Sequence, residues 1–499
     1  MTSEMKSRTI LIYYLIIAIL LISLQDIPGV NAQDQGNWWS LPFRLSSADG
    51  KASEAYIVAD QYGYVHVFWT EYLPDDRTIV QYSRFDGESW TVPFDIYITR
   101  PFVPIENLSP FVDQHGTLHL VWTEALGKFI MYTRAPAHDA LSSQKWETPY
   151  LIDIPADTIR LKIDSKDVFH ILFTWKIGLQ TGVFYSFSED QGVTWSEPVW
   201  LDQDILSGYS PASLQFELDE NDGLHAAWYY IAQDASGGDW VRYAHSLDGG
   251  ITWSSPFTID RAGELGDEVD YSLSAATPVM IVNGQDVHII WAGGKLHYRH
   301  HRYSRNLGRT WSTPTRFMGD LNGQAGDGLV ADGQGRVHFF SQIRYPQGIY
   351  HAVWENNRWT APVLVYLISL GDGDPIGDRI HAHRTFPIIR AGNQVVLTFT
   401  DPPPTPNRRL FTIHRTLEEV LPLSIEPTPL VEITSVAPPT PRPTLVPLPT
   451  FVSSPEPPLG NLPSTTPPPD PGNGLLAGAV PSILLTVGTV IILVLKRRS

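Results

Sequence analysis

Three arginines could together bind a carboxylate group, with a tyrosine and an aspartate nearby. Arg160, Arg344 and Arg384 fall in predicted connections between strands, and Tyr271 follows Asp270 in another connection. A guanidinium is planar and presents paired donors, so several of them can grip one carboxylate through bidentate hydrogen bonds. The plainer alternative is that these arginines are solvated loop charges that pair with acidic residues.

The best spacing for a metal ion lies between residues 372 and 383. Asp372, Asp374 and Asp378 could coordinate calcium through their carboxylate oxygens, although Asp and Gly in this spacing also suit an ordinary turn. His381 and His383 point to one side of a strand, but two histidines alone are a weak sign of zinc. Calcium is therefore the one cofactor left open, and no firm metal site is expected.

Another set of histidines recurs at regular intervals, in runs such as VHVFWT and LHLVWT. Its members are His66, His119, His170, His225, His288 and His338. Equivalent positions in successive repeats are too far apart to share one ion, so these imidazoles are predicted to pack between strands.

One eight-residue pattern, Ser-x-Asp-x-Gly-x-Thr-Trp, occurs in full at 188–195 and 246–253, and with Asn for Asp at 304–311. Asp and Asn bond their own backbone two residues on, and Gly allows positive φ, so the pattern predicts a turn. The carboxylate is expected to be structural, because a catalytic one would be repeated around the molecule. The residues assigned to these turns are Ser188, Asp190, Gly192, Thr194, Trp195, Ser246, Asp248, Gly250, Thr252, Trp253, Asn306, Gly308 and Trp311.

Two marks recur along residues 37–416 at intervals of roughly 50 to 60 residues, which is typical of propeller blades. The first is Trp-x-x-Pro, which starts at Trp39, Trp90, Trp146, Trp195, Trp253, Trp311 and Trp359. The second is the histidine-containing run, with a degenerate copy at 395–400. Each interval divides into four short strands bounded by Gly and Asp, which predicts an all-β propeller of four-stranded blades. Seven blades are favoured, and six are the alternative.

The order of these marks predicts how the ring closes. The chain begins with an outermost strand that has no blade, and the propeller ends with three strands that lack an outermost one. We expect the N-terminal strand to join the C-terminal blade, which hides two open sheet edges.

The connections from one blade's outer strand to the next blade's inner strand should open on one face, close to the axis. A ligand pocket is expected there because polar side chains converge on a concavity. The residues assigned to this ligand face are Glu54, Glu106, Tyr209, Glu268, Asp327, His381 and His383.

Both ends of the chain have the composition of targeting segments. Residues 1–32 are predicted to be a signal peptide, with an apolar run after Lys6 and Arg8. Residues 421–473 are rich in Pro, Thr and Ser, which predicts an extended stalk. Residues 475–495 are long enough for a transmembrane helix, and a basic cytoplasmic tail follows at 496–499. We expect a single-pass cell-membrane protein with its propeller outside.

Charge and composition exclude some classes of site. With 53 acidic and 35 basic residues the net charge is -18, which argues against a nucleic-acid partner. The absence of cysteine rules out disulfides, thiolate metal sites and a cysteine nucleophile.

The boxes at 188–195 and 246–253 resemble the Asp-boxes, or BNR repeats, of the sialidase superfamily. The resemblance implies a β-propeller whose boxes lie away from the active site. It also implies that catalysis would use three arginines, a tyrosine nucleophile paired with a glutamate, and an aspartic acid. A degenerate box, SRFDGESW, lies at 83–90; after the signal peptide, the region up to it offers only Arg44 and Arg77, with Arg84 inside the box, and none matches the family's Arg-Ile-Pro-like stretch. A divergent or non-catalytic member is therefore expected.

Three functions stay open at this point. The favoured one is a surface-displayed propeller that binds a glycan or a protein ligand at its axial face. The alternatives are an exo-acting glycoside hydrolase of sialidase type and a purely architectural surface protein. Arginines that converge beside a Tyr–Glu pair would favour the hydrolase.

Overall fold

Short runs of Val, Ile, Tyr and Trp that end at Asp, Gly or Asn form strands, as their alternation predicts. A computed structural model describes residues 39–48, 51–53, 55–124, 129–177, 180–203, 208–232, 238–262, 275–294, 296–323, 326–344, 346–367, 385–401 and 409–429. Within these ranges the chain forms 30 strands and two short 3-10 helices, Ala137–Asp139 and Ser143–Lys145. The strands are arranged in seven antiparallel sheets, which confirms the β-propeller and its seven blades.

Each sheet is one blade, and its strands follow chain order from the axis outward. Blade 7 is completed by β1 (Phe43–Arg44). Blade 1 contains β2 (Lys51–Ala52), β3 (Tyr56–Ala59), β4 (Val65–Tyr72), β5 (Thr78–Phe85) and β6 (Phe94–Ile98). Blade 2 contains β7 (Ile105–Val112), β8 (Thr117–Glu124), β9 (Phe129–Pro136) and β10 (Tyr150–Pro155). Blade 3 contains β11 (Thr158–Ile163), β12 (Phe169–Ile177), β13 (Gln180–Ser188) and β14 (Val199–Trp200).

The remaining blades repeat this plan. Blade 4 contains β15 (Tyr209–Leu218), β16 (Leu224–Ala232), β17 (Gly238–Ser246) and β18 (Phe257–Arg261). Blade 5 contains β19 (Ala275–Asn283), β20 (Asp286–Gly293), β21 (Tyr298–Ser304) and β22 (Thr315–Arg316). Blade 6 contains β23 (Gly326–Ala331), β24 (Val337–Arg344), β25 (Gln347–Glu355), β26 (Arg358–Trp359) and β27 (Val363–Tyr366). Blade 7 contains β28 (Phe386–Arg390), β29 (Gln394–Asp401) and β30 (Arg409–Thr416).

The two ends of the propeller sequence meet in blade 7, as predicted. Phe43 of β1 pairs with Thr412 of β30 in an antiparallel ladder. Around this ladder, the Ser40 N–H donates to the His414 carbonyl at 2.9 Å, and the Leu45 N–H donates to the Leu410 carbonyl at 2.9 Å. The N-terminal strand thus covers the outer edge of β30, which would otherwise present free backbone groups.

The hydrophobic core lies between the blades rather than within any one of them. Trp69, Trp122, Trp228 and Trp291 occupy equivalent places in four second strands and are fully buried. One cluster, for example, joins Phe68 and Tyr82 of blade 1 to Leu120 and Trp122 of blade 2. Because each sheet buries its two faces against its neighbours, no blade has a complete core by itself.

The propeller has two faces that differ in the connections they carry. The hairpin face carries the turns between first and second strands and the loops between third and fourth strands. The mouth face carries the loops between second and third strands and the connections from blade to blade. This division follows directly from the antiparallel order of four strands in each blade.

Residues 417–428, which we call the strap, lie along the hairpin face after β30 ends. The Leu417 N–H donates to the Asn393 carbonyl at 2.7 Å, and the Leu423 N–H donates to the Ala391 carbonyl at 2.8 Å. Further along, the Glu426 N–H donates to the Gln61 carbonyl in blade 1 at 2.8 Å. The strap therefore contacts blades 7 and 1, although the sequence places its residues from 421 onward in the stalk.

Among the residues that the structure describes, no helix is long and apolar enough to cross a membrane. The predicted signal peptide, the predicted transmembrane segment at 475–495, the tail at 496–499 and the stalk from residue 430 onward lie outside those residues.

Candidate ligand site at the axial channel

The first strands of all seven blades enclose a cavity of about 210 Å³ on the propeller axis. Because side chains alternate along a strand, β11 buries Ile159 and Leu161 and directs Arg160 and Lys162 toward this cavity. Lys162 Nζ lies 2.6 Å from Glu217 Oε2 on the first strand of blade 4. The cavity therefore carries charged groups on its blade 3 and blade 4 side.

Arg160 joins a group of side chains that spans the channel. Its guanidinium carbon lies 5.7 Å from the centre of the Tyr56 ring of blade 1, and the Tyr56 ring lies 5.1 Å from that of Phe386 in blade 7. Arg160 Nη1 also donates to the Ile159 carbonyl at 2.7 Å. A guanidinium framed by aromatic rings can hold a polar or stacking ligand at this level of the channel.

The proposed arginine clamp is only partly visible. Arg344 stands at the end of β24 and acts electrostatically on His297, whose pKa is lowered to about 4 by burial and then by Arg299 and Arg344. Arg160 lines the axial cavity, but Arg344 is not among its described lining residues. Arg384, Tyr271 and Asp270 lie outside the described residues, so the clamp stays a prediction.

Three of the residues assigned to the ligand face lie in first strands rather than in connections. Glu106 is an exposed residue of β7, Tyr209 begins β15, and Asp327 belongs to β23, where it is buried but borders the cavity. The Tyr209 hydroxyl donates to Asp239 Oδ2 at 2.8 Å, and its ring stacks on Trp240 at 5.7 Å. Tyr209 and Trp240 thus form an aromatic platform on the mouth face.

The other assigned residues cannot be placed. Outside the described residues lie Glu54, Glu268, His381, His383, Asp372, Asp374 and Asp378. Within the described residues, no group of three or more histidine, aspartate or glutamate side chains could hold a metal ion. The calcium site at 372–378 is therefore still a prediction.

Three of the first strands contain β-bulges. The bulges fall between Glu106 and Ser109, between Ala212 and Gln215, and between Ala276 and Val279. Each bulge contains a residue with positive φ: Asn107, Ser213 and Thr277. An extra residue in a strand redirects the following side chains, and no single-sequence pattern marked these positions.

The recurring histidines are buried, and those of blades 1 to 4 have the same kinds of neighbours. In blades 1 to 4 the histidine Nδ1 lies within hydrogen-bonding distance of a third-strand tyrosine hydroxyl, and Nε2 faces an aspartate in the preceding turn. The tyrosine pairs, with their distances, are His66–Tyr82 (2.8 Å), His119–Tyr132 (2.8 Å), His170–Tyr185 (2.7 Å) and His225–Tyr243 (2.7 Å). The aspartate pairs are Asp60–His66, Asp113–His119, Asp164–His170 and Asp219–His225.

In blades 1, 2 and 4 the hydrogen bonds assign one tautomer to the imidazole. The Nε2–H donates to the aspartate, and Nδ1 accepts from the tyrosine, which stays protonated because burial raises the pKa of Tyr82 and Tyr132. In blade 3 the Tyr185 hydroxyl donates to the Gly249 carbonyl at 3.3 Å, and His170 Nε2 lies 3.4 Å from Asp164 Oδ2 without a hydrogen bond. The hydrogen bond from His225 lowers the pKa of Asp219 to about 2. Burial lowers the pKa of His66 in turn. Five of the six histidines follow their turn aspartate by six residues, which is a spacing that the sequence analysis overlooked.

The eight-residue boxes fold into turns that are closed by their own side chains. In the box at 188–195, Thr194 donates to Asp190 through both its N–H (2.8 Å) and its hydroxyl (2.6 Å), and the hydroxyl bond lowers the pKa of Asp190 to about 2. Asn306 accepts from the Thr310 N–H in the same way at 2.9 Å. These contacts lie on the hairpin face, away from the mouth.

Box residues also connect neighbouring blades. The Trp253 ring packs edge-on against Tyr185 of blade 3 at 5.1 Å, and the Trp311 ring packs against Tyr243 of blade 4 at 4.8 Å. A side chain at Gly250 would meet the Tyr185 hydroxyl at 1.9 Å. The boxes are thus part of the packing between blades.

A group of buried polar side chains under the mouth was not anticipated from the sequence. We call it the polar seam, and its members are Arg299 of blade 5, Asp327, Ser341 and Gln342 of blade 6, and Thr385 and Thr400 of blade 7. Arg299 Nε lies 2.7 Å from Asp327 Oδ2, and the Ser341 hydroxyl donates to Asp327 Oδ1 at 2.6 Å. Gln342 Nε2 donates to the Thr400 carbonyl at 3.3 Å, which links blades 6 and 7.

Neither a protein-family model nor a curated protein matches the chain. Among solved structures, a Dyadobacter fermentans protein of unknown function is similar, with 14% identity, a TM-score of 0.46, and 76% of this chain and 99% of that chain covered. A sialidase from Streptococcus pneumoniae shows 12% identity, a TM-score of 0.42, and coverage of 77% and 71%. An ulvan lyase shows 10% identity, a TM-score of 0.48, and coverage of 74% and 94%. The chain is similar to these structures at low identity, and its propeller fold follows from its own seven sheets.

Proposed function

We propose that this chain is a cell-surface, membrane-anchored propeller that binds a glycan at its axial mouth. A protein ligand is the alternative occupant of the same site. The apolar segments at 10–24 and 475–495 support export and anchoring, since each has the composition of its predicted role.

The observation that carries this proposal is the axial cavity. It is bounded by the first strands of all seven blades, so polar and aromatic groups from every part of the ring converge on one concavity. Arg160, Lys162 and Glu217 supply charge, while Tyr56 and Phe386 supply aromatic surface. A concave site with a few convergent polar groups is the usual form of a binding pocket.

The aromatic groups favour a glycan over a protein ligand. The Tyr209–Trp240 platform and the Tyr56–Phe386 pair present rings beside hydrogen-bonding groups. Such surfaces suit sugars, whose C–H faces can pack on rings while their hydroxyl groups bond to polar side chains.

Binding is tested with the full chain displayed on cells, using an array of neutral and acidic oligosaccharides. Arg160→Met should weaken retention of the bound oligosaccharide by about tenfold, because it removes a charged donor from the channel. Arg305→Met on the hairpin face is the matched control and should leave binding unchanged. Equal effects of the two substitutions would rule out the axial site, and turnover of a fluorogenic sialoside would favour the hydrolase instead.

Anchoring is tested separately by removing residues 475–499. The shortened chain should appear in the medium, whereas the full chain should stay with the membrane fraction. Retention of both chains in the cytoplasm would contradict export as well as anchoring.

A further inference from the structure

Blade 7 is assembled from both ends of the propeller sequence, unlike its neighbours. In the other six blades the outer strand follows the third strand along the chain, whereas β1 comes before all the other strands of the propeller and β30 after them. Their short ladder pairs Phe43 with Thr412 and Arg44 with Phe411. The position of β28 relative to blade 1 therefore depends on noncovalent contacts, and the strap supplies a second set of them.

The strap crosses the turns between first and second strands in blades 6, 7 and 1. In blade 6, Gln334 Nε2 donates to a strap carbonyl group at 3.2 Å. In blade 7, the Leu423 side chain packs on Gly392, where an added Cβ would lie 2.6 Å from Leu423 Cγ. In blade 1, Ile425 packs on Gly63 in the same way, and the corresponding distance to Ile425 Cγ2 is 3.0 Å. The strap thus fastens blade 7 to both of its neighbours.

The strap is held firmly at its start and lightly further along. Leu417 and Val420 are 2% exposed, whereas Leu423 and Ile425 are 56% and 48% exposed. The later part reaches blade 1 through the Ile425 contact, one backbone hydrogen bond at 2.8 Å and one hydroxyl contact at 3.2 Å. Segments with few buried contacts open locally at low cost in free energy. Residues 421–428 are therefore expected to detach from blade 1 more readily than any blade unfolds.

The turns that the strap fastens end the two strands that carry the aromatic pair of the axial cavity. Tyr56 begins β3, and Gln61 lies in the turn after it; Phe386 begins β28, and Ala391 lies in the turn after that strand. The strap backbone donates to the Gln61 and Ala391 carbonyls, each at 2.8 Å. At the other end of these strands the Tyr56 and Phe386 rings lie 5.1 Å apart and line the cavity. Each strand spans about 16 Å from ring to turn, so the strap and the aromatic pair join the same two strands at opposite ends.

Two side chains of blade 7 also contact blade 1 further from the axis. Arg390 Nη2 donates to the Asp86 carbonyl at 2.8 Å, and Gln394 Nε2 donates to the Gly87 carbonyl at 3.1 Å. Both carbonyls belong to the loop between the third and fourth strands of blade 1. These bonds hold the two blades together when the strap detaches, so detachment should loosen the spacing of β3 and β28 without opening the ring.

We propose that residues 421–428 of the strap position the axial ligand site. While these residues are attached, β3 and β28 keep the spacing that places Tyr56 against Phe386; when they detach, the pair loosens and the ligand binds more weakly. This inference rests on the proposed function and adds a means of regulating that site from the opposite face of the propeller. By linkage, a ligand that favours the attached state must tighten the strap by the same factor.

The first test needs no ligand and uses the full chain. Ile425→Ser removes the apolar contact with Gly63, and amide hydrogen exchange in β3 and β28 should then become about threefold faster or more. Leu421→Ser is the matched control and should leave exchange unchanged, because Leu421 is 82% exposed. Exchange that stays the same in Ile425→Ser would overturn the proposal, whether or not the protein binds a glycan.

A second pair of variants tests the backbone contact of the strap. Glu426→Pro removes the N–H that donates to the Gln61 carbonyl and should speed exchange in β3 and β28 as Ile425→Ser does. Glu426→Ala keeps that N–H and should not. Equal exchange in the two variants would mean that this hydrogen bond does not hold the strands, which would contradict the proposal.

Binding is measured with the full chain on cells and two fluorescent probes, maltotriose as a neutral sugar and sialyllactose as an acidic one. For a probe that binds, Ile425→Ser should weaken binding by about fivefold and change the melting temperature little. Thr133→Val in blade 2 should do the reverse, because it removes a buried hydroxyl that donates to the Glu147 carbonyl at 2.6 Å. Equal losses of affinity in the two variants would show that affinity follows general stability, and would overturn the proposal.

Reciprocity supplies the last measurement. A bound probe should slow exchange of the Leu423 and Glu426 amides by the same factor of about five. It should not affect the Ser165 amide, which donates to Asp222 at 2.9 Å elsewhere on the hairpin face. Protection of β3 and β28 without protection of the strap would overturn the coupling but keep the axial site. Binding of neither probe would count against the proposed function, and the exchange results without ligand would then decide whether the strap holds the two strands.

Discussion

Blades 1 to 4 and blades 5 and 6 bury a histidine at the same place in their second strands but complete its hydrogen bonds differently. In the first group the Nδ1 partner is a tyrosine hydroxyl, as in His119–Tyr132 at 2.8 Å. In the second group it is the Nε2 of another histidine, in His288–His301 at 3.0 Å and His338–His351 at 2.9 Å. Blade 6 keeps its turn aspartate, Asp332, whereas no aspartate contacts His288 among the described residues.

The difference shows which part of the network the fold requires. Trp359 Nε1 can only donate, and it lies 3.0 Å from His301 Nδ1, so His301 carries its proton on Nε2 and donates it to His288. The Nε2–H of His301 in blade 5 therefore has the same role as the tyrosine hydroxyl in blades 1, 2 and 4. These blades share a buried donor for Nδ1, and the aspartate, where present, is an additional acceptor.

The largest effect is expected when the contact between blade 3 and the box of blade 4 is disrupted. Gly250→Ala should destabilise the propeller by about 3–5 kcal/mol, because its backbone has a φ of 91° and a Cβ would meet the Tyr185 hydroxyl at 1.9 Å. Chemical denaturation of the purified chain measures this loss.

The neighbouring Gly249 is the matched control, because its φ of 71° is also positive but a Cβ there meets nothing within 4 Å. Gly249→Ala should cost only about 1–2 kcal/mol, which is the conformational strain alone. Similar costs at both positions would show that the Tyr185 contact does not matter.

The second-largest effect is expected from acid, which should destabilise blades 5 and 6, where the buried histidine pairs with a second histidine. Burial lowers the pKa of His288 to about 4 from its ordinary value of 6.5, so between these values only the unfolded chain binds the proton. This histidine does not reduce the free energy of unfolding above about pH 6.5. As the pH drops below that value, the free energy of unfolding falls, by about 2 kcal/mol at pH 5. Burial also lowers the pKa of His301 and His338 in blades 5 and 6 and of His66 and His170 in blades 1 and 3, which adds loss of the same sign.

Urea unfolding at pH 7.5, 6 and 5 measures this slope, and His288→Asn should flatten it. His115→Asn is the control, because the hydrogen bond that His115 donates to Asp167 raises the pKa of this exposed histidine, and its small contribution has the opposite sign. A slope that is unchanged in His288→Asn would contradict the assignment of a buried neutral imidazole.

A smaller effect is expected when the tyrosine hydroxyl that donates to a buried histidine Nδ1 is removed. Tyr132→Phe leaves His119 Nδ1 without its hydroxyl donor and should cost about 1–2 kcal/mol. Tyr150→Phe, whose ring packs on Tyr132 at 5.1 Å but whose hydroxyl makes only a 3.5 Å contact, should cost less than half as much. Thermal unfolding of both variants measures the two losses of stability.

The smallest effect should come from the boxes. Asp190→Asn is expected to change the free energy of unfolding by less than about 0.5 kcal/mol, because Asn306 already makes the equivalent bonds to Thr310. Asp190→Ala removes both Thr194 bonds and should cost more than Asp190→Asn. Equal losses for Asn and Ala would mean that the carboxylate has a role other than closing the turn.

Much of the fold could be predicted because the repeat consists of short sequence patterns that recur along the chain. Trp-x-x-Pro and the histidine-containing runs each recur seven times when the degenerate copy is counted, and the strands they mark appear in all seven blades. The closure through β1 followed from the order of those marks.

The candidate site could be predicted less well, because it depends on how residues of different blades lie relative to one another. Arg299 and Asp327 lie in different blades, and their approach is set by blade stacking rather than by spacing in the chain. The bulges at Asn107, Ser213 and Thr277 likewise depend on how strands pair. By contrast, the six-residue spacing from turn aspartate to histidine was present in the sequence and could have been found.

The strap sets the proper end of any soluble fragment of this protein. Leu417 and Val420 are buried at 2% exposure, and Thr428 still contacts the Tyr64 hydroxyl at 3.2 Å. Cutting the gene after residue 416 or 420 would uncover apolar surface beneath blade 7 and invite aggregation. A stop codon after residue 429 keeps the whole strap.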